Sequence, residues 1–121
     1  MLILRDCMTS PVISVPESAT VQEAAQFMAE KGISCIFIQG QEDYQGIFTT
    51  TDLVKRVVAK GLDPKATSAL SVATSPILTI DQHLTPEEAN EKMLRHKVKR
   101  IGVTQGKEIV GIISRKDIVQ L

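Results

Sequence analysis

The sequence predicts an α+β fold made from two copies of one β-α-β-β-α unit, and three observations carry that prediction. First, shifting the chain by 65 positions superimposes it on itself without a gap. Thr9, Ser10 and Pro11 fall on Thr74, Ser75 and Pro76, Thr20 on Thr85, Gly46 on Gly111, and Asp52 on Asp117, with twelve identities between positions 8 and 54. An ungapped repeat of this length marks a duplicated folding unit. Second, each copy alternates strand-like and helix-like hydrophobic periods in the same order. Third, each copy closes on Gly, two apolar residues, a hydroxyl and an aspartate three positions later: Gly46 to Asp52, then Gly111 to Asp117.

The elements follow in order. Val12 to Val15 reads as a brief strand after Thr9-Ser10-Pro11. Thr20 and Glu23 form a capping box, each side chain satisfying an orphan N–H at the helix start. Val21, Ala24, Ala25 and Met28 make the apolar stripe of that helix, and Gly32 supplies its stop. In the second copy Thr85 and Glu88 take the same parts, with Pro86 at the first helical position, where a missing N–H costs nothing. Ile33 to Ile38 and Val98 to Thr104 read as strands. Polar turns at Gln39–Gln45 and Gln105-Gly106 return the chain as hairpins through Gly46–Thr49 and Gly111–Ser114. Helices are expected to begin at Asp52 and Asp117, the first carrying Leu53, Val54, Val57 and Val58 before Gly61. Gly61 to Ser71 reads as a linker. The repeats are assigned to residues 1–61 and 62–121, together forming one compact module, because about 60 residues alone bury too little surface for firm stability.

Composition narrows the function classes. Lys and Arg total 14, as do Asp and Glu, so net charge is zero. That argues against nucleic acid as a main partner, whose binding relies on excess cationic charge. No tryptophan, one tyrosine and three phenylalanines leave no base-stacking platform. Cys7 and Cys35 are only two, with no C-x-x-C and no histidine at ligand spacing; reduced, partly buried thiols are expected, with a disulfide between them as the weaker alternative. The apolar start Met1 to Leu4 is too short for a signal peptide, and no stretch approaches transmembrane length. A cytoplasmic protein without membrane insertion is expected.

The pattern Gly46-Ile47-Phe48-Thr49-Thr50-Thr51-Asp52, repeated as Gly111-Ile112-Ile113-Ser114-Arg115-Lys116-Asp117, is a strand ending in hydroxyls followed by an acid at a helix start. Helix-start N–H groups suit a phosphate, and a nearby carboxylate suits a ribose diol. The structural alternative is that Asp and Thr here are helix caps. Recurrence at the same offset in both copies favours a clamp for a nucleoside phosphate. Arg95, His96, Lys97, Lys99 and Arg100 form a basic cluster where a helix should end, and cations there interact well with the helix dipole in any case. His83 and His96 have no partners at metal or catalytic spacing and are expected at the surface, whereas Met28 and Met93 match on apolar helix faces, where core packing is expected.

The duplicated T-S-P start, internal apolar strand and G-h-h-[ST]-x-x-D ending, in which h stands for an apolar residue, resemble a tandem pair of cystathionine beta-synthase (CBS) domains, a Bateman module. The resemblance spans Arg5 to Gln120. It implies two CBS folds related by a pseudo-twofold axis and packed through their sheets. Their clefts would take AMP, ADP, ATP or S-adenosylmethionine. It further implies that each cleft draws its acid from one repeat and its adenine wall from the other. The first site would then comprise Thr49, Thr51, Asp52, Thr74, Ile77, Val98, Lys99 and Arg100. The second would comprise Thr9, Val12, Ile33, Ser34, Ser114, Arg115, Lys116 and Asp117. Thr51 keeps the hydroxyl that often precedes the acid in this family, whereas Lys116 replaces it, so the site holding Asp52 is expected to bind first. Phe37 and Gly102 stand where many relatives carry proline.

The function expected from this resemblance is a regulatory adenine-nucleotide sensor, working as a homodimer through Val54, Val57 and Val58 and signalling to an effector protein. The alternative is a ligand-free module that dimerises and docks a partner. Catalysis is the weakest reading, since no nucleophile-base pair, paired carboxylates or metal cluster can be assembled from either repeat.

Overall fold

The protein is described by a computed structural model covering all 121 residues. Its elements run α1 (Leu4–Cys7), β1 (Ser14–Pro16), α2 (Val21–Lys31), β2 (Cys35–Gln39), β3 (Tyr44–Thr49) and α3 (Thr50–Asp52), which continues as a π-helical segment, Leu53–Val58. After these come α4 (Ala69–Val72), β4 (Thr79–Asp81), α5 (Pro86–His96), β5 (Arg100–Gln105), β6 (Glu108–Ser114) and α6 (Arg115–Val119). The α+β class and the doubled β-α-β-β-α order are therefore present. The repeat also includes a short helix at its head, because α1 and α4 stand at matching positions 65 residues apart. No helix is long and apolar enough to cross a membrane.

The chain forms two compact units, Ile13–Ile77 and Met1–Val12 with Leu78–Leu121. They do not follow the repeat boundary at 61 and 62, because the head of each repeat folds with the strands of the other. Leu4 is 0 % exposed and lies in the second repeat's core, while Ala69 is equally buried in the core of the first. Backbone bonds fix both turns: the Leu4 N–H donates to the Leu84 carbonyl at 2.8 Å, and the Ala69 N–H donates to Ala19 at 3.0 Å. Thr9 exchanges two backbone bonds with Ile112, and Thr74 does so with Ile47. Close approach of these segments is why Gly46 and Gly111 recur. A Cβ at Gly46 would sit 3.1 Å from the Thr74 carbonyl oxygen, and one at Gly111 would sit 3.1 Å from that of Thr9.

In the unit Ile13–Ile77 the strands lie in the order β1-β2-β3, with β1 parallel to β2 and β2 antiparallel to β3. The parallel pair needs a crossover, and α2 supplies it. This helix starts as its sequence requires: the Glu23 N–H donates to Thr20 Oγ1 at 3.1 Å, and the Thr20 N–H donates to Glu23 Oε1 at 2.8 Å. Its stop is Gly32 at φ 67°, in the left-handed region. Val21, Ala24 and Met28 meet Ile36, Ile38 and Phe48 in the core. The expected linker is not loose: the Val21 N–H donates to Thr67 and the Gln22 N–H to Pro64, tying it over the start of α2.

The second unit repeats the plan with β4-β5-β6 and α5. Thr85 and Glu88 form its capping box and Pro86 opens the helix. Ile80, Ala89, Met93, Ile101, Val103 and Ile113 surround Leu4. The helix stop differs, for Lys97 rather than glycine takes the left-handed position at φ 57°.

Several element edges move from their expected places. The first strand spans Ser14–Pro16 rather than Val12 to Val15, since Val12 belongs with the other unit. The following strands begin at Cys35 and Arg100, after Ile33 and Val98 have turned in against the cores. The last helices begin at Thr50 and Arg115, not at the aspartates, which occupy the third helical position. Val57 is 1 % exposed and fills the core, so it is not available for a contact between molecules as expected.

Candidate ligand site

Each repeat ends its hairpin in a reciprocal cap. In the unit Ile13–Ile77 the Thr49 N–H and hydroxyl both donate to Asp52 Oδ2, at 3.0 and 3.1 Å, and the Asp52 N–H donates to Thr49 Oγ1 at 3.1 Å. In the second unit the Ser114 N–H donates to Asp117 Oδ2 at 3.0 Å, and the Asp117 N–H donates to Ser114 Oγ at 3.0 Å. These are capping boxes with aspartate in the place of glutamate. The capping alternative is therefore correct for the geometry of both acids, whatever else they do. A second helix-start N–H is also used in each unit: Thr50 donates to Ser34 at 3.0 Å and Arg115 to Lys99 at 2.9 Å.

Beyond the caps, the two acids diverge. Asp52 is 5 % exposed, and its Oδ1 accepts from the Thr74 hydroxyl at 3.4 Å and faces Arg56 Nε at 3.6 Å. Arg56 is held from behind by Nη1 donating to the Ala73 carbonyl at 3.1 Å. Both carboxylate oxygens of Asp52 are thus occupied from within its own unit. Asp117 is half-buried, and its bonds use Oδ2 alone, which leaves Oδ1 to accept from a donor outside the chain. Leu121 stands where the repeat would place a second Arg56, so no cation is available four residues on. The acid expected to act first is the less open of the pair.

The remaining expected site residues divide by unit. Thr49, Thr51, Asp52, Thr74 and Ile77 share Ile13–Ile77; Thr51 is exposed, and the Thr74 side chain reaches Asp52. Val98, Lys99 and Arg100 belong to the other unit, where the Lys99 carbonyl meets Arg115 and Val98 packs against the core. Thr9, Val12, Ser114, Arg115, Lys116 and Asp117 share that unit, with Arg115 and Lys116 exposed. Ile33 and Ser34 belong to Ile13–Ile77; Ile33 packs on its core and the Ser34 carbonyl accepts from Thr50. Arg56 was not foreseen, although an acid and an arginine four apart on a helix are neighbours.

No three His, Cys, Asp or Glu side chains come together in a set that could hold a metal ion. Cys7 and Cys35 form no disulfide and belong to different units. Burial pushes the Cys7 thiol above its ordinary range, and the negative charges of Asp6, Asp117 and Glu87 add to the effect.

Comparison with known proteins agrees with this architecture. The sequence pattern of the CBS domain matches residues 4–59 and 69–121. Hypoxic response protein 1 of Mycobacterium tuberculosis is 34 % identical over 121 residues, covering 99 % of this chain and 85 % of that protein. A crystal structure of Hypoxic Response Protein I with two coordinated zinc ions superimposes with a TM-score of 0.82 at 32 % identity, covering 98 % of each chain. A hexameric CBS-CP12 protein from bloom-forming cyanobacteria gives 0.89 at 33 % identity, covering 98 % of this chain and 71 % of that one. With its duplicated strand-helix-hairpin units, its recurring Gly and Asp and these matches over nearly its whole length, the chain belongs to the CBS domain family as a tandem pair.

Proposed function

We propose that the protein is a cytoplasmic regulatory module that binds AMP, ADP, ATP or S-adenosylmethionine and answers by a change in how its repeats, or two of its copies, are arranged. The observation that carries this reading is the half-open carboxylate of Asp117, whose Oδ1 has no donor of its own. A carboxylate oxygen of this kind accepts from a ribose diol. Lys99, Arg115 and Lys116 lie on the same unit, exposed, and supply charge for phosphates. Asp117 is thus the first ribose acceptor. Asp52 is the more enclosed acid, and the Thr74 hydroxyl and Arg56 compete for its Oδ1. Signalling requires the ligand to favour one arrangement over another, and an effector protein would read the difference.

The copies associate through the π-helical segment in this reading. Val54 and Val58 are 60 % and 69 % exposed there, an apolar pair left without cover. Sedimentation of the wild type against Val58→Glu tests this: a dimer that becomes a monomer supports it, and an unchanged species removes it.

A thermal-shift panel of AMP, ADP, ATP, S-adenosylmethionine and GTP tests the ligand class. A ligand at about 100 times its dissociation constant adds roughly 2.7 kcal/mol of stability, and adenine compounds should raise the melting temperature where GTP does not. A flat panel from protein carrying no extractable nucleotide would overturn the reading.

A further inference from the structure

Seven cationic or imidazole side chains cluster at one end of the second repeat. Arg95 and His96 close α5, Lys97 is its stop, Lys99 and Arg100 lead into β5, and Arg115 and Lys116 open α6. The fold gathers them: Arg100 pairs with Ser114 in the sheet, and the Arg115 N–H donates to the Lys99 carbonyl. Arg95, Lys97, Lys99, Arg115 and Lys116 are exposed, and none forms an ion pair. The matching end of the first repeat has Glu30, Lys31, Gly32, Ser34, Thr50 and Thr51, which sum to no charge. Because the whole chain is neutral, this concentration is not a by-product of a basic protein.

Three of these cations stand where local physics disfavours them. Lys97 adopts φ 57°, whereas the first repeat uses Gly32 at φ 67° in the same place. A side chain in the left-handed region is strained, and glycine is the residue that relieves it. Arg115 and Lys116 occupy the first two positions of α6, where the helix dipole opposes positive charge. Helix capping thus explains Arg95 and His96 but not the other cations. Departures from local preference that converge on one surface are expected at functional sites.

The surroundings select the kind of partner. Leu94 and Val119 are exposed beside the cations, on α5 and α6, which pack side by side. A nucleic-acid duplex has little use for such aliphatic contacts. All four aromatic residues, Phe27, Phe37, Tyr44 and Phe48, lie in the other unit, so neither base stacking nor an aromatic membrane anchor is available here. We propose that Lys97, Lys99, Arg115 and Lys116, flanked by Leu94 and Val119, dock an acidic, leucine-bearing segment of a partner protein. This surface shares Lys99, Arg115 and Lys116 with the phosphate contacts proposed above and extends past them through Lys97, Leu94 and Val119, which those contacts do not use.

Fluorescence anisotropy tests the proposal, using a labelled ~12-residue peptide of Asp and Glu interrupted by leucines, and the same peptide with Asn and Gln in place of the acids. The acidic peptide should bind, weaken as salt rises from about 50 to about 200 mM, and leave the neutral peptide behind. Lys97→Gly combined with Lys116→Gln should lose about tenfold in affinity. Lys97→Gly alone should melt no lower than the wild type, because glycine suits the left-handed stop, so lost binding cannot be ascribed to unfolding. Equal binding of the neutral peptide, or undiminished affinity in the double variant, would overturn the proposal. So would binding of phosphatidylserine vesicles or duplex DNA by protein that ignores the acidic peptide. AMP affinity measured on Lys97→Gly alone, whose side chain takes no part in the nucleotide contacts, should equal the wild type's while its affinity for the acidic peptide falls, which separates this surface from the nucleotide reading.

Discussion

Leu4→Ala probes the exchange of segments on which both units depend. Leu4 is one of seven buried residues in the core of Met1–Val12 with Leu78–Leu121, and it is 0 % exposed. Its surroundings are Ile80, Ala89, Met93, Ile101, Val103 and Ile113, contributed by both strands and helix of the second repeat. Truncation removes apolar contact and leaves a cavity, a combination that costs about 2–5 kcal/mol at buried leucines. Two backbone bonds, Leu4 to Leu84 at 2.8 Å and Arg5 to Gln82 at 2.9 Å, hold the turn in place, so collapse around the cavity is restricted. Ala69, at the matching position of the other repeat, shows that the turn accepts alanine without backbone conflict. The expected loss is therefore about 3 kcal/mol, a large share of the roughly 5–15 kcal/mol that holds a domain together. Urea denaturation followed by circular dichroism would measure it, with Leu2→Ala as the exposed control within about 0.5 kcal/mol of wild type. A Leu4→Ala protein as stable as that control would refute the placement of the amino-terminal turn in the second repeat's core.

Gly46→Ala should cost about 1–3 kcal/mol, because its Cβ would meet the Thr74 carbonyl oxygen at 3.1 Å and the Ala73 Cβ at 3.3 Å; an unchanged denaturation midpoint would contradict the close approach. Ser114→Ala should cost about 1 kcal/mol by removing the hydroxyl that caps α6, read in the same assay. Cys7 should alkylate more slowly at neutral pH than a cysteine in a short peptide. Burial and the charges of Asp6, Asp117 and Glu87 raise its titration, so the reactive thiolate forms only at higher pH. Asp117→Asn should speed that reaction, and iodoacetamide kinetics by mass spectrometry would detect it.

The repeat made most of the fold legible, for a shift of 65 residues locates the same helix, hairpin and final aspartate twice. Thr20 with Glu23 and Thr85 with Glu88 were readable because a capping box depends on neighbours in sequence alone. The same signature lay in Thr49 with Asp52 and Ser114 with Asp117, where a carboxylate one carbon shorter obscured it and moved the expected helix start. Segment exchange was not legible. Leu4 and Ala69 each sit in a short turn whose burial depends on residues far along the chain, which no local period reveals. The inequality of the two acids was hidden for a similar reason. It rests on Thr74 reaching Asp52 across 22 positions and on Arg56, whose counterpart is Leu121. Asp52→Ala would therefore remove a buried, hydrogen-bonded carboxylate and cost stability as well as any ligand contact.

Calorimetric titration of AMP into the wild type, Asp117→Asn and Asp52→Asn tests the central claim most directly. The amide keeps the shape of the cap while weakening acceptance from a ribose diol. The account predicts that Asp117→Asn loses about tenfold or more in affinity, with Asp52→Asn binding close to the wild type. Undiminished affinity in Asp117→Asn, or a loss confined to Asp52→Asn, would contradict it.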